Sequence, residues 1–242
     1  MRLMVVALLS LVSRAGAAQT IDSVKLILDR YVDAVGGRQN VERVQTRVTT
    51  WSMWLARGIG GQLQTVQSLP ENVHERGTAS GWGWHGTFEW GTDGRSGWIA
   101  GPEEPLRSMS DELVRRRVID NRLDRDARLE ELFPMRALRP DTIVSGHKQN
   151  VLLMTTEFGG QELWRFDVAT GLLTQTEWFE DNGGKDGRVK VVTTLEDYRL
   201  VDGLRLPFKK TVQEGKHTRI LTALSITDNT PVAPAEFVRP QR

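Results

Sequence analysis

The chain of 242 residues contains no cysteine. It can therefore form no disulfide, and it lacks the residue that is acylated just after the signal sequence of a lipoprotein. It has only four histidines, and no two of them have the spacing of metal ligands, so we expect no zinc site. The fold must be stabilised by a hydrophobic core alone, and a chain of this length can bury about 70% of its unfolded surface.

The chain has no large excess of positive or negative charge, because its 32 lysine and arginine residues are matched by 31 aspartate and glutamate residues. A nucleic-acid-binding protein usually has a basic surplus and a basic stripe, so we expect no nucleic-acid partner. The middle of the chain is highly charged and contains the run Arg115-Arg116-Arg117. Acidic residues surround this run, which favours a solvated face with paired charges over a binding site.

Recognised catalytic motifs are also missing. The sequence has no Gly-x-Ser-x-Gly nucleophile elbow. Residues 81–86 match Gly-x-Gly-x-x-Gly, but a dinucleotide site needs a helix directly afterwards, and residues 87–90 have the pattern of a strand. The acidic loop at 181–187 lacks the spacing of a calcium loop. We therefore expect no catalytic residue, no metal, no cofactor and no enzymatic activity; a hydrolase site assembled from distant residues is the least favoured alternative.

The N-terminal apolar run is too short to span a bilayer, which needs about 20 apolar residues. Arg2 precedes the run LMVVALLSLV at residues 3–12, and Ala15-Gly16-Ala17 then provides an Ala-x-Ala cleavage signal. We predict that residues 1–18 are a secretory signal peptide and that residues 19–242 form a single domain. The expected location is the periplasm, without lipidation and without a stable transmembrane segment in the mature chain.

Helical periodicity occurs in two places. Apolar residues at spacings of three and four predict a helix over residues 20–36, which Gly36-Gly37 would end in a left-handed conformation. A second, inserted helical segment is predicted to begin after an N-cap at Ser108 or Ser110 and to stop at Pro134.

Elsewhere the hydrophobic period is two, which is typical of strands. Asp93-Gly94 and Asp202-Gly203 are strong hairpin signals, because both positions tolerate positive φ. Turn signals at short spacing indicate antiparallel hairpins throughout. We therefore predict an α+β fold that is mostly antiparallel β, with about ten strands, an N-terminal helix and the inserted helical segment.

An antiparallel sheet that does not close must cover at least one face, and two helical segments can cover a concave face only in part. The remainder would be a concave apolar surface of the kind that binds apolar ligands or partner chains. The candidate residues for lining this hydrophobic cavity are Trp51, Met53, Leu55, Leu153, Trp164, Phe166 and Trp178. The alternative is that these side chains fill an ordinary core.

Several short motifs follow one another in a recognisable order. They are the helix ending in Gly36-Gly37, then Pro70-Glu71-Asn72-Val73, TDGRSGW at 92–98, Leu132-Phe133-Pro134, WRFDVATGLL at 164–173, Asp197-Tyr198, Asp202-Gly203, Leu206-Pro207-Phe208 and Phe237. In this order the chain resembles the LolA/LolB-like superfamily of periplasmic lipoprotein-sorting carriers. It resembles most closely the uncharacterised outer membrane lipoprotein-sorting protein-like branch.

The resemblance implies a curved, incomplete β-barrel, or half-barrel, with helices covering its concave face. In the carriers the hydrophobic interior holds lipoprotein acyl chains, although their functional residues map onto no clear motif here. We expect a periplasmic, non-enzymatic binding protein or carrier for a hydrophobic ligand, either a lipid or lipoprotein acyl chains. The alternative is an interaction or sensor module that uses the same half-barrel to dock another envelope protein without a lipid.

Overall fold

The computed structural model describes residues 23–55, 58–102, 105–181 and 188–241. The predicted signal peptide and nearly all of the acidic loop at 181–187 lie outside these ranges. The helices are α1 (23–35), α2 (Arg38–Glu42), α3 (Asp111–Asn121) and α4 (Leu129–Leu132), with 3₁₀ turns at Arg125–Ala127 and Pro234–Phe237. The predicted cap of the insertion is confirmed at Ser110, whose side chain accepts a hydrogen bond from the Leu113 amide.

The strands form two runs, one on each side of the helical insertion. The first run is β1 (Thr46–Leu55), β2 (Ile59–Ser68), β3 (Asn72–Gly81), β4 (Trp84–Thr92), β5 (Gly97–Ala100) and β6 (Arg107–Ser108). The second run is β7 (Met135–Val144), β8 (His147–Thr155), β9 (Gln161–Asp167), β10 (Leu173–Asp181), β11 (Arg188–Val201), β12 (Leu204–Glu214) and β13 (His217–Asp228).

All thirteen strands belong to one antiparallel sheet in the order β6-β5-β4-β3-β2-β1-β13-β12-β11-β10-β9-β8-β7. Each run is a meander of hairpins, and the pairing of β1 with β13 joins the two meanders. Within the described residues the end strands β6 and β7 are not paired with each other, so the sheet remains open. The predicted mostly antiparallel, incomplete barrel is confirmed.

The sequence pattern missed the two edge strands, which is why about ten strands were expected. Strand β6 has only two residues. Strand β7 carries Arg136, Arg139, Pro140 and Asp141, and none of its residues is buried. Charged residues and proline are typical of edge strands, where they discourage pairing with another chain, but they remove the alternation by which a strand is recognised.

Helix α3 shows how strongly the sheet curves. Val114 and Val118 pack against Trp90 on β4, whereas Arg116 forms an ion pair with Glu162 on β9. Eight strand spacings separate β4 from β9, which would be about 38 Å in a flat sheet. Because the helix is only about 16 Å long, the sheet must wrap around it.

Helix α1 ends where the sequence predicted and docks on the opposite meander. Gly36 adopts φ of 124° and the Gly37 amide donates to the Val32 carbonyl. A Cβ atom at Gly36 would lie 2.2 Å from the Gly203 carbonyl oxygen in the β11–β12 turn. Glycine is therefore required at this position for two reasons: its positive φ and the close approach of the Asp202-Gly203 turn.

The segment at 81–86 forms a hairpin turn and the start of a strand. Trp82 and Gly83 have φ of 55° and 76°, and Gly81 pairs with Trp84 across the turn. Strand β4 follows directly, so the helix that a dinucleotide site requires is not formed after this motif.

The largest core cluster lies between α1, the insertion and strands β8 to β12. Phe133 contacts Trp164 edge-on with ring centroids 5.1 Å apart. Tyr31 of α1 contacts Phe166 at 5.3 Å. All four side chains are at most 2% exposed, so this part of the interior is filled.

Phe133→Ala is expected to lower the free energy of unfolding by about 3 to 5 kcal/mol, because it removes a fully buried ring from this cluster. Denaturant unfolding followed by tryptophan fluorescence measures the change. The matched control is Phe179→Ala, whose ring is half exposed and whose cost should stay below about 1 kcal/mol. Equal losses in the two variants would contradict this assignment of the core.

Candidate functional site

The helices pack on one face of the sheet, which we call the inner face. Residues directly opposite on paired strands share a face, so the register can be followed from β1 through β13, β12 and β11 to β10 and β9. It places six of the seven candidate residues on the inner face, namely Trp51, Met53, Leu55, Trp164, Phe166 and Trp178.

Leu153 is the exception. It pairs with Ala137 and Leu163, while its neighbours Leu152 and Met154 are fully buried in the core on the inner face. Because side chains alternate along a strand, Leu153 lies on the outer face and is not brought together with the other six.

The six inner-face residues differ in their surroundings. Trp164 and Phe166 are 1% exposed in the filled core beneath α1. Trp178 lies under the guanidinium of Arg116, with 3.9 Å from its Cζ to the ring centroid. Neither environment leaves an open apolar surface at these three side chains.

Trp51, Met53 and Leu55 belong to a second cluster, which we call the apolar strip. Its buried members are Trp51, Met53, Leu63, Ala79, Leu221 and Ala223, and its partly buried members are Leu55, Ile59, Trp84, Phe88, Phe208 and Ile226. All twelve come from strands β1 to β4, β12 and β13. The other two clusters each contain helix residues. Within the described residues, the strip is therefore a part of the inner face that is apolar and whose cluster includes no helix residue.

A cavity of about 190 Å³ lies between the strip and the helical insertion. Trp51 belongs to the strip and also lines this cavity. Five cationic and three acidic side chains also line it, so it is charged rather than apolar. They are Arg47, Arg122, Arg125, Arg205, Lys210, Glu75, Asp120 and Asp126.

Three of these cations are neutralised by carboxylates. Arg47 binds Asp228 through two hydrogen bonds of 2.6 and 2.8 Å. The Arg122 Nε lies 2.5 Å from Asp124, and the Arg125 Nη2 lies 2.9 Å from Asp126. Such bidentate or short charge-assisted contacts fix each guanidinium in place.

Lys210 differs from these arginines. In the part of the chain that the structure describes, no carboxylate lies within ion-pair distance of its ammonium, which sits 4.9 Å from the centroid of the Trp51 ring. Burial, with the positive charges of Arg125 and Arg47, lowers the pKa of Lys210 to about 8, although Glu75 and Asp120 act in the opposite direction. The cavity thus holds a partly desolvated cation.

Lys210 was not among the residues predicted to form the site, yet the sequence contains a signal for it. In β12 the residues in one phase are Leu204, Leu206, Phe208, Lys210 and Val212. A charge in the apolar phase of a strand must be placed on the buried face. Lys209, in the other phase, has a side chain that is 41% exposed and is paired with Glu196 at 2.9 Å.

Arg116 corrects the interpretation of the Arg115-Arg116-Arg117 run as a solvated face. Its side chain is 11% exposed and forms ion pairs with Glu162 and Asp120. Glu162 is itself buried and also accepts a hydrogen bond of 2.8 Å from the Trp164 indole. The charge was predicted to be solvated because sequence gives no view of the distant acid on β9.

His74 is the one histidine among the four that is buried. Its two ring nitrogens lie 3.0 Å from Glu236 and 3.1 Å from Glu89, so both are engaged by carboxylates. Across the residues that the structure describes, no group of three or more His, Asp or Glu side chains is placed to hold a metal ion. Within the same ranges, no helix combines the length and apolarity that crossing a bilayer requires.

No protein-family model and no curated protein matches the sequence. Among the solved structures that match, three align over 87 to 89% of this chain and 97% of their own. They include an outer membrane lipoprotein-sorting protein domain from Vibrio parahaemolyticus (TM-score 0.54, 11% identity) and a DUF1329 family protein from Desulfovibrio piger (0.56, 12%). A LolA superfamily protein from Nitrosomonas europaea gives 0.53 at 14% identity. The chain therefore has the LolA-type fold, and the predicted resemblance is confirmed at that level.

Lys210→Met is expected to stabilise the protein at pH 7, by on the order of 1 to 3 kcal/mol, because the folded state holds a partly desolvated ammonium. Between pH 8 and 10.5 the unfolded chain keeps a proton that the folded chain loses. Wild-type stability should therefore rise over that window, and the variant should lack the rise. Denaturant unfolding at several pH values measures both effects.

The control for this experiment is Lys209→Met, which removes a partly exposed, paired lysine and should change stability by less than about 1 kcal/mol. Destabilisation of Lys210→Met at pH 7 would show that the lysine has a partner that stabilises it.

Arg116→Met is expected to lower the free energy of unfolding by on the order of 3 kcal/mol, since it leaves the buried Glu162 without its cation. Glu162→Gln should cost less, because Arg116 keeps its ion pair with Asp120. The double variant should lose less than the sum of the two, as measured by chemical denaturation. The exposed pair Arg128–Glu131 provides the control cycle, with little expected coupling. Strict additivity at Arg116 and Glu162 would rule out the proposed link between α3 and β9.

Proposed function

We propose that the protein is a periplasmic, non-enzymatic carrier or binding protein for a hydrophobic ligand, whose acyl-type chain lies along the apolar strip. The strip is the observation that carries the proposal. It consists only of strand residues, and six of its twelve members remain partly exposed. Apolar surface of this kind on the inner face of a curved sheet is typical of ligand-binding sites.

The energy available from the strip is sufficient for useful affinity. Each methylene removed from water contributes about 0.8 kcal/mol. About ten methylenes would therefore contribute about 8 kcal/mol, which corresponds to a micromolar dissociation constant before the cost of ordering the chain. A modest part of the strip is enough for such a contact.

Among the candidate residues, the proposed ligand contacts are Trp51, Met53 and Leu55. Trp164 and Phe166 support the wall of the half-barrel from the filled core, and Trp178 is held beneath Arg116. Leu153, on the outer face, has no role in this proposal. The predicted signal peptide at residues 1–18 would export the protein, so we propose that it binds its ligand in the periplasm.

The fold agrees with this function without specifying the ligand. A solved domain with the same fold is an outer membrane lipoprotein-sorting protein domain. By analogy, the ligand of this chain is either a free lipid or the acyl chains of a lipoprotein.

A second candidate is an interaction module that docks another envelope protein and binds no lipid. Two observations favour it. The cavity of about 190 Å³ is smaller than the roughly 300 to 1,000 Å³ of most small-molecule pockets. The interior near Trp164 is already filled by the protein's own side chains.

Leu55→Glu is expected to weaken binding of a fluorescent fatty-acid probe at least about tenfold, because it places a charge on the strip at a partly exposed position. Trp54→Glu is the matched control, since Trp54 is the adjacent residue on the outer face and is 45% exposed. Fluorescence titration measures both, and circular dichroism checks that the variants fold.

Organic extraction of the purified wild-type protein should also release lipid. Absence of both probe binding and extractable lipid would refute the carrier. Crosslinking in cells that then captured one specific envelope protein would support the second candidate.

A further inference from the structure

We infer that the charged cavity beneath the helical insertion holds an anionic group and that the Lys210 ammonium is its partner. The ligand class is then an amphiphile with an acid group at one end and an acyl-type chain at the other. This inference rests on the proposed function, which assigns the chain of the same ligand to the apolar strip.

Lys210 occupies an inner-face position among apolar residues. It lies directly opposite Leu221 on β13 and Leu195 on β11. Burying a cation costs free energy unless an opposite charge or a set of hydrogen bonds compensates it. Within the described residues it forms no ion pair and no hydrogen bond, and its contact is the face of the Trp51 ring.

The nearby acids act on Lys210 only through space, because each is hydrogen-bonded or ion-paired to another group and, within the described residues, none contacts the ammonium. Glu75 accepts hydrogen bonds from the Trp90 indole at 2.9 Å and from the Thr65 hydroxyl at 3.2 Å. Asp120 is bound to Arg116.

Asp126, the third acid of the cavity wall, is paired with Arg125 and accepts a hydrogen bond of 2.8 Å from the Tyr31 hydroxyl. Direct contact with the Lys210 ammonium is therefore left for a ligand.

The pattern of ion pairs around the cavity also favours an anion at Lys210. Arg47, Arg122 and Arg125 line the cavity too, but each is paired with a carboxylate, whereas within the described residues the Lys210 ammonium has no carboxylate contact. An entering acid group would meet this ammonium in a partly desolvated site, where charge-assisted contacts are strongest.

Trp51 joins the two halves of the proposed site. Its ring faces the Lys210 ammonium, and it is also a buried member of the apolar strip. Met53 and Leu55 continue the strip along β1, so that Leu55 lies about 13 Å from Trp51 along the strand. An acid group at Lys210 would therefore direct its chain onto the strip over a length that suits a medium acyl chain.

The volume of the cavity agrees with a ligand whose head group lies in the cavity and whose chain lies on the strip. About 190 Å³ is too little for a complete lipid but ample for a carboxylate or phosphate with some water. The small charged cavity and the open apolar strip then form one site, with the head group enclosed and the chain on the surface of the inner face.

The experiment compares three probes with the same twelve-carbon chain: dodecanoate, dodecyl phosphate and dodecanol. Isothermal titration calorimetry at pH 7 measures each with wild-type protein, Lys210→Met, Lys210→Arg and the control Lys209→Met. In wild-type protein at least one anionic probe should bind at least about tenfold more tightly than dodecanol. The tighter anion identifies the head group as carboxylate or phosphate.

Lys210→Met should remove the preference for the anion, so that neither anionic probe binds this variant more tightly than dodecanol does. Lys210→Arg should retain the preference, because it keeps the positive charge, and Lys209→Met should behave as wild type. The arginine variant also tests the role of charge if the methionine variant fails to fold.

The outcomes separate the two proposals. Equal affinity for dodecanol and both anions in wild-type protein would overturn the role of Lys210 and leave the apolar strip as a binding site. An anion preference that persists in Lys210→Met would also overturn it. Failure of all three probes to bind wild-type protein would refute the proposed carrier itself.

Discussion

The whole arrangement depends on helix α3, which holds two distant parts of one open sheet together. Val114 packs against Trp90 on β4, and Arg116 reaches Glu162 on β9. An apolar contact on one side and a buried ion pair on the other therefore define the curvature of the sheet. An ion pair of this kind adds little net stability over well-packed apolar residues, but separating its two members would leave a buried charge uncompensated. Its contribution is to fix where the second half of the sheet lies.

Curvature creates an inner face that is used in two ways. Near β8 to β12 it is filled by α1 and Phe133. Around β1, β2 and β13 it presents the apolar strip. The charged cavity lies between them, because the insertion brings Asp120, Arg122, Arg125 and Asp126 over strands that carry Arg47, Glu75 and Lys210. The same polypeptide segment thus clamps the sheet and forms the roof of the cavity.

Much of the fold could be predicted from local chemistry, since the end of α1 at Gly36, the cap at Ser110 and the hairpin turns depend on neighbouring residues. The outer-face position of Leu153 could not be predicted for a clear reason: residues 151–154 are all apolar, so the run has no alternation, and only the register with β9 fixes its phase. Arg116 was missed because its partner is 46 residues away. Lys210 was detectable as a charge in an apolar phase. That it contacts no carboxylate within the described residues depends on how distant strands and the insertion pack together.

The pairing of β1 with β13 has a consequence for how the chain reaches its native state. Arg47 and Asp228 are 181 residues apart, and their ion pair lies on that ladder. Each meander is made of local hairpins that can form early, whereas joining the first strand to the last requires closure of a loop that spans most of the chain. Until that closure, β1 and β13 are both exposed edges. The nascent protein therefore carries a temporary risk of pairing with other chains that the finished fold has removed.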